Sequence, residues 1–575
     1  MALYISDSCI GCTFCQNECP VMAISYDGDK YCIDNDLCIR CGTCSKVCVM
    51  DAIEDTEAPR EAPATHQPEE KTCDFLVVGG GAAGLIAAAK VAEQGKKVIV
   101  LEKNRKPGGG GYFAVGLTPC NTQWEKDAGV PDCVEEKVAR AMAQTENKLE
   151  EGMMRSLFTS LGEVFDWLCT WAPVEKCFQL APHPFTGELS VGTKDQGYGS
   201  GKFITTHILP YLKKLGVEIL TETAAEELKL DETGAVSGVA ARDPGGIVNI
   251  SCKKCLLATG SLIRSERIRE MIPEFAQADV KRYAHDMPTL TGDGLTLAEN
   301  AGIPLNKDSI VLAFVGCMPV AFEQGAFQMG ERKDALRINL DGKRWVDETA
   351  DGKTMAEKLL YQPKAVSYTV LDSSILESKE PVPPMPAGGP GGPGGPGGPG
   401  GPGGPGGGMP YPGGVPDFAV TRTTPTPGDR EAFRALAKKL GEKTVICGDT
   451  IEELAKKMGA PADVLKATIE GYNALCQAGR DTEFGKNPLY LRPLKEGPYF
   501  AIRNYLYLDG VFGGLNVSPN MEVLSSGKIV PGLYAAGDIT CGRYTNDLMH
   551  KTEVINDYSW AIAGGYMAAK HIIGM

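Results

Sequence analysis

The amino-acid sequence predicts an α/β protein built on a Rossmann-type dinucleotide-binding domain, with an inserted α+β domain and a small α+β module in front. Three observations carry this prediction. A cysteine repeat fills the first 53 residues, a strand–glycine turn–helix–strand pattern follows at 74–101, and a long separate stretch divides that pattern from a final strand-and-helix segment. With 575 residues the chain is too long for one core and suits several domains.

Composition and charge narrow the classes of function. The apolar share of 43% and the charged share of 23% are ordinary for a globular protein. The formal net charge of −15, without a basic stripe, argues against a nucleic-acid partner. No apolar run approaches the roughly 18–20 residues of a membrane span, and the first residues lack the basic and apolar segments of a signal peptide. We therefore expect neither a membrane span nor a signal peptide.

Cysteine usage points to a reducing compartment. The chain has 20 cysteines, and nine of them fall within the first 48 residues at the spacing of metal ligands. An exported protein would use so many cysteines for disulfides, whereas this spacing suits metal-bound thiolates. We expect a cytoplasmic protein.

The cysteine repeat has the pattern of iron–sulfur ligands. Each copy reads C-x₂-C-x₂-C-x₃-C, and in two-cluster ferredoxins the fourth cysteine of each copy ligates the other cluster. By this rule we expect two [4Fe–4S] clusters, one held by Cys9, Cys12, Cys15 and Cys48 and the other by Cys38, Cys41, Cys44 and Cys19. Zinc is the alternative for soft thiolates, but it would need two four-cysteine sites at unusual spacing. The segment resembles bacterial-type ferredoxins along its whole length. Pro20 follows Cys19 as expected, but Val49 replaces the proline expected after Cys48.

A dinucleotide fingerprint follows. The strand Asp74–Val78 leads into G-x-G-x-x-G at 79–84, an Ala-rich helix from about Ala83 to Gln94, and a second strand from Lys97 to Leu101. The glycines let the backbone approach a pyrophosphate at the helix N-terminus. Glu102, at the end of the second strand, is placed to accept hydrogen bonds from the adenosine ribose. The alternative is a glycine turn with a purely structural role.

Further motifs resemble the fumarate reductase and succinate dehydrogenase flavoprotein family, in particular its branch of 3-ketosteroid dehydrogenases and ene-reductases. They lie at 107–116, 256–260, 291–294, 341–344 and 532–538, and the resemblance covers about residues 73–575. It implies that the dinucleotide is FAD. The residues that it implies for FAD binding are Gly79, Gly81, Ala83, Gly84, Glu102, Lys103, Gly109, Gly110, Ala224, Thr259, Gly260, Gly537, Asp538, Thr552, Glu553 and Val554.

Two of these assignments carry a further implication. Asp538 would hold the ribityl chain, although it could instead be a simple helix cap. The residues around Thr552 would open the last helix toward the flavin, where a positive helix end stabilises a reduced, anionic ring.

The resemblance also divides the chain. We expect a two-cluster ferredoxin domain at 1–55, a linker at 56–72, an FAD-binding domain at 73–304 and 498–575, and a capping or substrate domain at 305–497. The cap contains a tract of GGP repeats at 388–408. This tract is either a solvated polyproline II loop or a packing element between subunits of a homo-oligomer.

Electrons are expected to arrive singly. The sequence contains one dinucleotide fingerprint, so we expect no NAD(P)H site. The donor would be a ferredoxin, a flavodoxin or a partner electron-transfer subunit, and the flavin would convert single electrons into a two-electron hydride step.

The substrate residues depart from the family. Leu548 replaces the substrate arginine, and the family's proton-donor arginine is missing from 348–353, where Lys353 is only a partial substitute. The family's histidines are also missing, with Met318 and Phe512 in their neighbourhoods. Bidentate carboxylate recognition favours arginine. We therefore expect a larger, less charged, ring-bearing substrate rather than fumarate.

The candidate catalytic residues are polar side chains that could polarise a carbonyl or supply a proton, and they are Tyr112, Tyr198, Arg543, Tyr544 and His550. Each tyrosine could equally be a packing residue, and Arg543 could lie on the surface. Three functions stay open: a reductase of a polarised C=C bond, the reverse flavin dehydrogenase acting on a ketosteroid-like compound, and a non-catalytic FAD electron-transfer subunit. The presence of a cap favours an enzyme over a relay.

Overall fold

The structure is a computed structural model. It describes residues 3–9, 14–17, 19, 23–26, 31–38, 40, 42–48, 50–56, 64–114, 116–118, 120–144, 147, 149–182, 189–193, 199–268, 275, 278–282, 289–306, 310–316, 332–350, 352–376, 430–439, 443–541 and 557–574. The chain forms two compact units. The first comprises Met1–Met271, Ala284–Leu312 and Gly510–Met575, and the second Ile272–Tyr283 and Ala313–Asp509.

The elements of the described ranges are as follows. The strands are β1 (Leu3–Ile5), β2 (Ile24–Tyr26), β3 (Tyr31–Ile33), β4 (Ile53–Asp55), β5 (Glu69–Val78), β6 (Val98–Leu101), β7 (Gly116–Leu117), β8 (Phe178–Pro182), β9 (Leu189–Thr193), β10 (Glu218–Leu220), β11 (Ala224–Leu230), β12 (Val236–Asp243), β13 (Gly246–Leu257), β14 (Lys281–Arg282), β15 (Ile310–Gly316), β16 (Leu336–Asn339), β17 (Val366–Asp372), β18 (Val445–Gly448), β19 (Tyr499–Phe512), β20 (Glu522–Ser525) and β21 (Lys528–Ala535). The α-helices are α1 (Phe14–Asn17), α2 (Thr43–Val47), α3 (Ala82–Ala92), α4 (Gln123–Asp127), α5 (Val134–Gln144), α6 (Glu151–Trp171), α7 (Gly199–Phe203), α8 (Leu209–Lys214), α9 (Asp293–Asn300), α10 (Gly352–Leu360), α11 (Ser373–Leu376), α12 (Arg430–Lys439), α13 (Ile451–Met458), α14 (Ala462–Ala478) and α15 (Asp557–Ile572).

The cysteine repeat forms a small α+β module within the first unit. β1 pairs with β4 and β2 pairs with β3, both antiparallel, and α1 and α2 are single short turns. Buried aliphatic side chains pack together with the cysteine side chains in its core, which contains Ile5, Cys15, Ile24, Tyr31, Cys44, Cys48, Ala52 and Ile53. The pairing of the first strand with the last closes the module around its cysteines.

The main sheet of the first unit has a Rossmann-type centre. Its described strands run in the order β10-β6-β5-β13-β12-β11, and β21 also pairs with β13. β5 pairs in parallel with both β6 and β13. The apolar residues 75–78 and 98–101 of β5 and β6 are buried, as expected for parallel strands covered on both faces. This confirms the predicted strand–helix–strand unit.

The helix of this unit packs unusually closely on the last helix. Every residue of α3 is buried, and six of its eleven residues are alanine. A Cβ at Gly565 of α15 would lie 2.2 Å from the carbonyl oxygen of Ala83. Glycine at this position therefore allows the two helices to meet at backbone distance. Gly95, with φ +69, ends the turn after α3.

One element boundary differs from the sequence-based prediction. The polar residues Glu69–Thr72 were predicted as part of the linker, but they form the first four of the ten residues of β5. Their backbones pair in parallel with residues 248–251 of β13, so the strand is extended by pairing rather than by side-chain burial. Strand propensity depends strongly on such context.

The second unit is an α+β body. Its sheet, as far as the chain is described, has the order β14-β19-β17-β16, with β15 and β18 also paired to β19. Apolar side chains of β16–β19 and of α12–α14 form its core. Four charged side chains are fully buried beside this core, namely Arg344, Glu348, Asp481 and Lys486.

Two sequence-based expectations concern other parts of the chain. Among the described residues, no helix combines the length and apolar character needed to cross a membrane. The GGP tract at 388–408 lies outside the described residues.

Candidate functional site

The glycines of the 79–84 turn differ in why a side chain is excluded or allowed at their positions. Gly79 has φ +108, and a Cβ there would lie 2.3 Å from the carbonyl oxygen of Ala258. A Cβ at Gly84 would lie 2.1 Å from the carbonyl oxygen of Gly79. At Gly81, in contrast, a Cβ would meet no heavy atom within 4 Å. The outer glycines are thus required by packing, whereas Gly81 borders open space.

This open space lies at the start of α3. Gly81 is the N-cap residue in an extended conformation, and no side chain caps the helix. Backbone N–H groups at an uncapped helix N-terminus, together with the helix dipole, favour an anion. A pyrophosphate of a dinucleotide fits this cradle, which is the arrangement that the fingerprint predicts.

Glu102 lies directly after β6, beside the glycine turn. Its carboxylate accepts hydrogen bonds from the N–H groups of Gly80 at 3.0 Å and Asn104 at 2.7 Å. Its side chain is buried, and burial raises the pKa of Glu102 although the two N–H donors oppose this effect. A buried acceptor held in this way is suited to bind ribose hydroxyls.

The neighbours of Glu102 connect the end of β6 to two other elements. The N–H of Thr223 donates to the Glu102 carbonyl at 3.0 Å, which sets β11, beginning at Ala224, beside the end of β6. Lys103 donates to Thr291 at 2.8 Å and to Asp293 at 2.5 Å. The predicted Lys103 therefore connects β6 to the T-G-D-G turn at the start of α9.

A second group of predicted residues follows β13 and β21, the parallel neighbours at the same edge. Gly260 has φ +73 and Gly537 has φ +81, so both turns need left-handed backbone. Thr259 Oγ1 is buried without a hydrogen-bond partner among the described residues. Asp538 is half-buried beyond β21. A buried polar atom left over at this edge fits a site completed by a polar ligand.

The loop 104–113 carries the remaining predicted glycines. Gly108 donates its N–H to the Gly80 carbonyl at 2.7 Å and forms a parallel bridge with Gly81. A Cβ at Gly110 would meet nothing within 4 Å, and one at Gly109 would meet only Gly81. This loop thus adds a second glycine-lined wall to the open space at Gly81.

Tyr112 closes this loop. Its hydroxyl donates to the Pro107 carbonyl at 2.9 Å, and its ring packs so tightly that a Cβ at Gly108 would lie 2.1 Å from it. Burial raises the pKa of Tyr112 to about 12. Of the predicted catalytic residues, Tyr112 alone lies in the described part of the chain, where it packs within the cradle.

The described cysteines of the module show one feature of cluster ligands. Cys19 Sγ accepts a hydrogen bond from the N–H of Ala23 at 3.2 Å, and Cys48 Sγ accepts one from Ala52 at 3.1 Å. The two bonds occupy the same place in the two copies of the repeat. N–H donors to sulfur stabilise thiolate ligands and tune cluster potential.

Some predicted residues lie outside the described residues. They are the ligands Cys12 and Cys41, the FAD residues Thr552, Glu553 and Val554, and the catalytic candidates Tyr198, Arg543, Tyr544 and His550. Among the residues that are described, no three His, Cys, Asp or Glu side chains are grouped to hold a single metal ion. Each predicted cluster retains three described cysteines of its four.

Sequence reasoning missed the basic residues of the loop after β6. Lys106 donates to the carbonyl oxygens of Cys48 at 2.8 Å and Ser45 at 3.1 Å, so the cysteine module contacts the dinucleotide cradle. Arg105 lies 3.7 Å from Glu54 of β4. A basic pair before a proline is common in loops, and only its position beside the glycine motif at 107–111 could have drawn attention to it.

Comparison with known proteins is consistent with this site. The model of the FAD binding domain family matches residues 74–546, and the model of a 4Fe-4S binding domain matches residues 2–25. The chain is 29% identical over 350 residues to a vinyl phenol reductase of Lactiplantibacillus plantarum, covering 58% of this chain and 63% of that relative, which is less than two thirds of its length. It is 24% identical over 468 residues to a fumarate reductase (cytochrome) of Shewanella frigidimarina, covering 80% of this chain and 70% of the relative.

A solved structure shares the fold. The 3-ketosteroid-Δ4-(5α)-dehydrogenase of Rhodococcus jostii, in complex with 4-androstene-3,17-dione, superposes with a TM-score of 0.57 at 21% identity, covering 89% of this chain and all of that chain. The glycine cradle, the buried Glu102 and the family match over most of the chain agree with each other. The chain belongs to the FAD binding domain family, and an N-terminal 4Fe-4S binding module precedes its FAD-binding fold.

Proposed function

We propose that this protein is an iron–sulfur flavoprotein that reduces a polarised C=C bond of an enone or acrylate-type compound, and that fumarate is not its substrate. When bound, the clusters supply electrons one at a time, and FAD passes a pair of them to the substrate as a hydride. The observation that carries the proposal is the direct contact of the cysteine module with the FAD cradle through Lys106.

We propose two [4Fe–4S] clusters, with the ligand sets predicted from the repeat. The equivalent N–H···S bonds at Cys19 and Cys48 support this count, because each of these cysteines is the fourth ligand contributed by its copy. In two-cluster ferredoxins the fourth cysteine of a copy belongs to the other cluster. The module would then transfer single electrons from an external donor such as a ferredoxin, a flavodoxin or a partner subunit.

The substrate proposal rests on the missing arginine and on one relative. Leu548 stands where the family has the arginine that binds a dicarboxylate, and an apolar side chain cannot replace its paired hydrogen bonds. The vinyl phenol reductase to which the chain is similar is named for a ring-bearing alkene. Both observations favour a larger, less charged acceptor than fumarate.

The proton donor is proposed among Tyr544, His550 and Tyr198, with Arg543 to bind an anionic group. The hydrogen bond from Tyr112 to the Pro107 carbonyl uses the only proton of its hydroxyl. We therefore propose that Tyr112 positions the loop, since a group that supplies a proton must direct it to the substrate.

The reverse reaction is the second candidate. Loss of hydride from a ketosteroid-like compound to FAD would send electrons outward through the clusters. Relative potentials decide the direction, because electrons flow toward the centre of higher potential. A cluster potential below that of the flavin favours the reductase, and one above it favours the dehydrogenase.

Anaerobic screening of acceptors tests the proposal. The full-length protein is reduced with dithionite, mixed with enones, acrylates or fumarate, and followed by the return of the oxidised flavin absorbance. We expect rapid reoxidation by an enone or acrylate-type compound and none by fumarate. Fast turnover of fumarate would refute the substrate part of the proposal.

A further inference from the structure

Lys106 directs its donors at one end of the cysteine module. Its ammonium donates to the carbonyl oxygens of Cys48 and Ser45 at 2.8 and 3.1 Å, and it lies 3.4 Å from a carboxylate oxygen of Asp51. All three acceptors belong to the second copy of the repeat, and Cys48 is itself a predicted cluster ligand. Lys106 therefore contacts the backbone of a predicted cluster ligand directly.

The same loop is fixed to the FAD cradle on its other side. Gly108, two residues after Lys106, is bonded to Gly80 and bridges Gly81. The carbonyl of the intervening Pro107 accepts a hydrogen bond from the hydroxyl of Tyr112. The side chain of Lys106 and the two residues that follow it thus connect the carbonyl of Cys48 to the glycine turn that faces the open space of the cradle.

Arg105 makes a second connection in the same direction. Its guanidinium lies 3.7 Å from Glu54 of the module and 3.2 Å from Glu222, in the turn before β11. Two consecutive basic residues therefore join acidic and carbonyl oxygens of the module to the adenosine side of the cradle. The partners of these two residues in the module lie between Ser45 and Glu54, in the second copy of the repeat and in β4.

We propose that Lys106 is a positioning residue that holds the Cys48 end of the module against the FAD-binding loop. Cys48 is the predicted ligand at this contact, so the cluster of Cys9, Cys12, Cys15 and Cys48 is then the one joined to the FAD-binding loop, and the cluster of Cys38, Cys41, Cys44 and Cys19 receives electrons from the external donor. This inference rests on the proposed function and its two clusters. An ammonium bonded to the carbonyl of a ligand cysteine also favours the more negative, reduced state of that cluster.

Redox titration of the full-length holoprotein, followed by electron paramagnetic resonance, tests the proposal. The two cluster signals are assigned with Cys9→Ser and Cys48→Ser for one cluster and Cys38→Ser for the other. Lys106→Met removes the charge while keeping the length of the side chain, and Lys106→Arg retains the charge. Lys46→Met is the matched control, since Lys46 is an exposed lysine of α2 in the same module.

We expect Lys106→Met to lower the midpoint potential of the signal assigned to Cys9 and Cys48, and to slow flavin reduction by the reduced clusters at least tenfold. Lys106→Arg should retain most of the midpoint potential and of the rate of flavin reduction. Lys46→Met should change neither the potential nor the rate strongly. A shift in the Cys38 signal instead, or no shift in either signal, would overturn the proposal. Neither readout uses an alkene acceptor, so a failed enone assay would count against the proposed function alone.

Discussion

At the scale of single residues, the glycines of the 79–84 turn serve two different requirements. Two of them allow close packing of the backbone, and one leaves space for a ligand. Gly79 and Gly84 lie so close to neighbouring carbonyl groups that no side chain fits beside them. Gly81 has ordinary φ of −78° and open space around its Cα, so the fold does not require glycine there. We propose that bound FAD requires glycine there, because a side chain would enter the space in front of the helix N-terminus.

We predict opposite effects of alanine at these two positions. Gly81→Ala should leave the thermal unfolding temperature of the FAD-free protein unchanged but weaken FAD binding at least tenfold, because its methyl group occupies the pyrophosphate space. Gly84→Ala should destabilise the FAD-free protein by about 1–3 kcal/mol, because its methyl group is forced against backbone. Differential scanning calorimetry and fluorescence titration with FAD measure the two effects. Equal FAD affinity in Gly81→Ala and the native protein would contradict the assigned cradle.

Residue types alone predicted much of the site but not its contacts. The glycine spacing and Glu102 are sufficient to predict the cradle, because few other functions need three glycines between a strand and a helix. The contacts of Lys103 and Lys106 could not be predicted in this way. Their partners, Asp293 and the carbonyl of Cys48, lie 190 and 58 residues away along the chain, and no local pattern encodes such pairs.

At the scale of elements, the ends of strands were harder to predict than their centres. Residues 75–78 of β5 are apolar and buried, so the sequence predicts them directly. Glu69–Thr72 are polar and continue the strand only because β13 offers them backbone partners. Register between distant strands is a tertiary property, and the sequence carries no local sign of it.

The second unit contains a cluster of buried charged side chains that links several of its elements. Arg344 donates to both carboxylate oxygens of Glu348 and to Asp481 at 2.7 Å, linking β16 and its following turn to the turn after α14. Lys486 donates to the Ala335 carbonyl and the hydroxyl of Tyr472. Burial acts to raise the pKa of Asp481, but the hydrogen bonds from Arg344 and backbone N–H groups hold this pKa well below its ordinary value. The carboxylate therefore stays charged inside the unit.

We predict that Arg344→Leu lowers the free energy of unfolding of the second unit by about 3–5 kcal/mol, because it leaves two buried carboxylates without their main partner. Arg155→Leu is the control. Arg155 also pairs with two carboxylates, Glu135 and Glu151, but all three side chains are largely exposed, so little change is expected. Urea unfolding followed by hydrogen exchange measures the two losses, at the β16 amides for Arg344→Leu and at the α6 amides around Arg155 for the control. Similar losses in both variants would contradict a structural role for the buried cluster.

At the scale of the whole molecule, the chain combines two redox modules that are common separately. Both modules were predictable because each carries a dense local motif. The sheet of the second unit was less predictable, since its described strands lie at 281–282, 310–316, 336–339, 366–372, 445–448 and 499–512, and their pairing depends on contacts distant in sequence. The proposed substrate residues around 543–550 lie outside the described residues, and their assignment rests on the sequence alone.

We propose that the clusters and FAD of one chain act as a single store of electrons for a C=C bond. An anaerobic reoxidation experiment tests it most directly. Fully reduced protein is titrated with an enone acceptor while flavin and cluster absorbance are followed together. We predict that about four electrons per chain reach the acceptor, one from each cluster and two from FAD. Reoxidation that stops after the two flavin electrons, with the clusters still reduced, would contradict the claim.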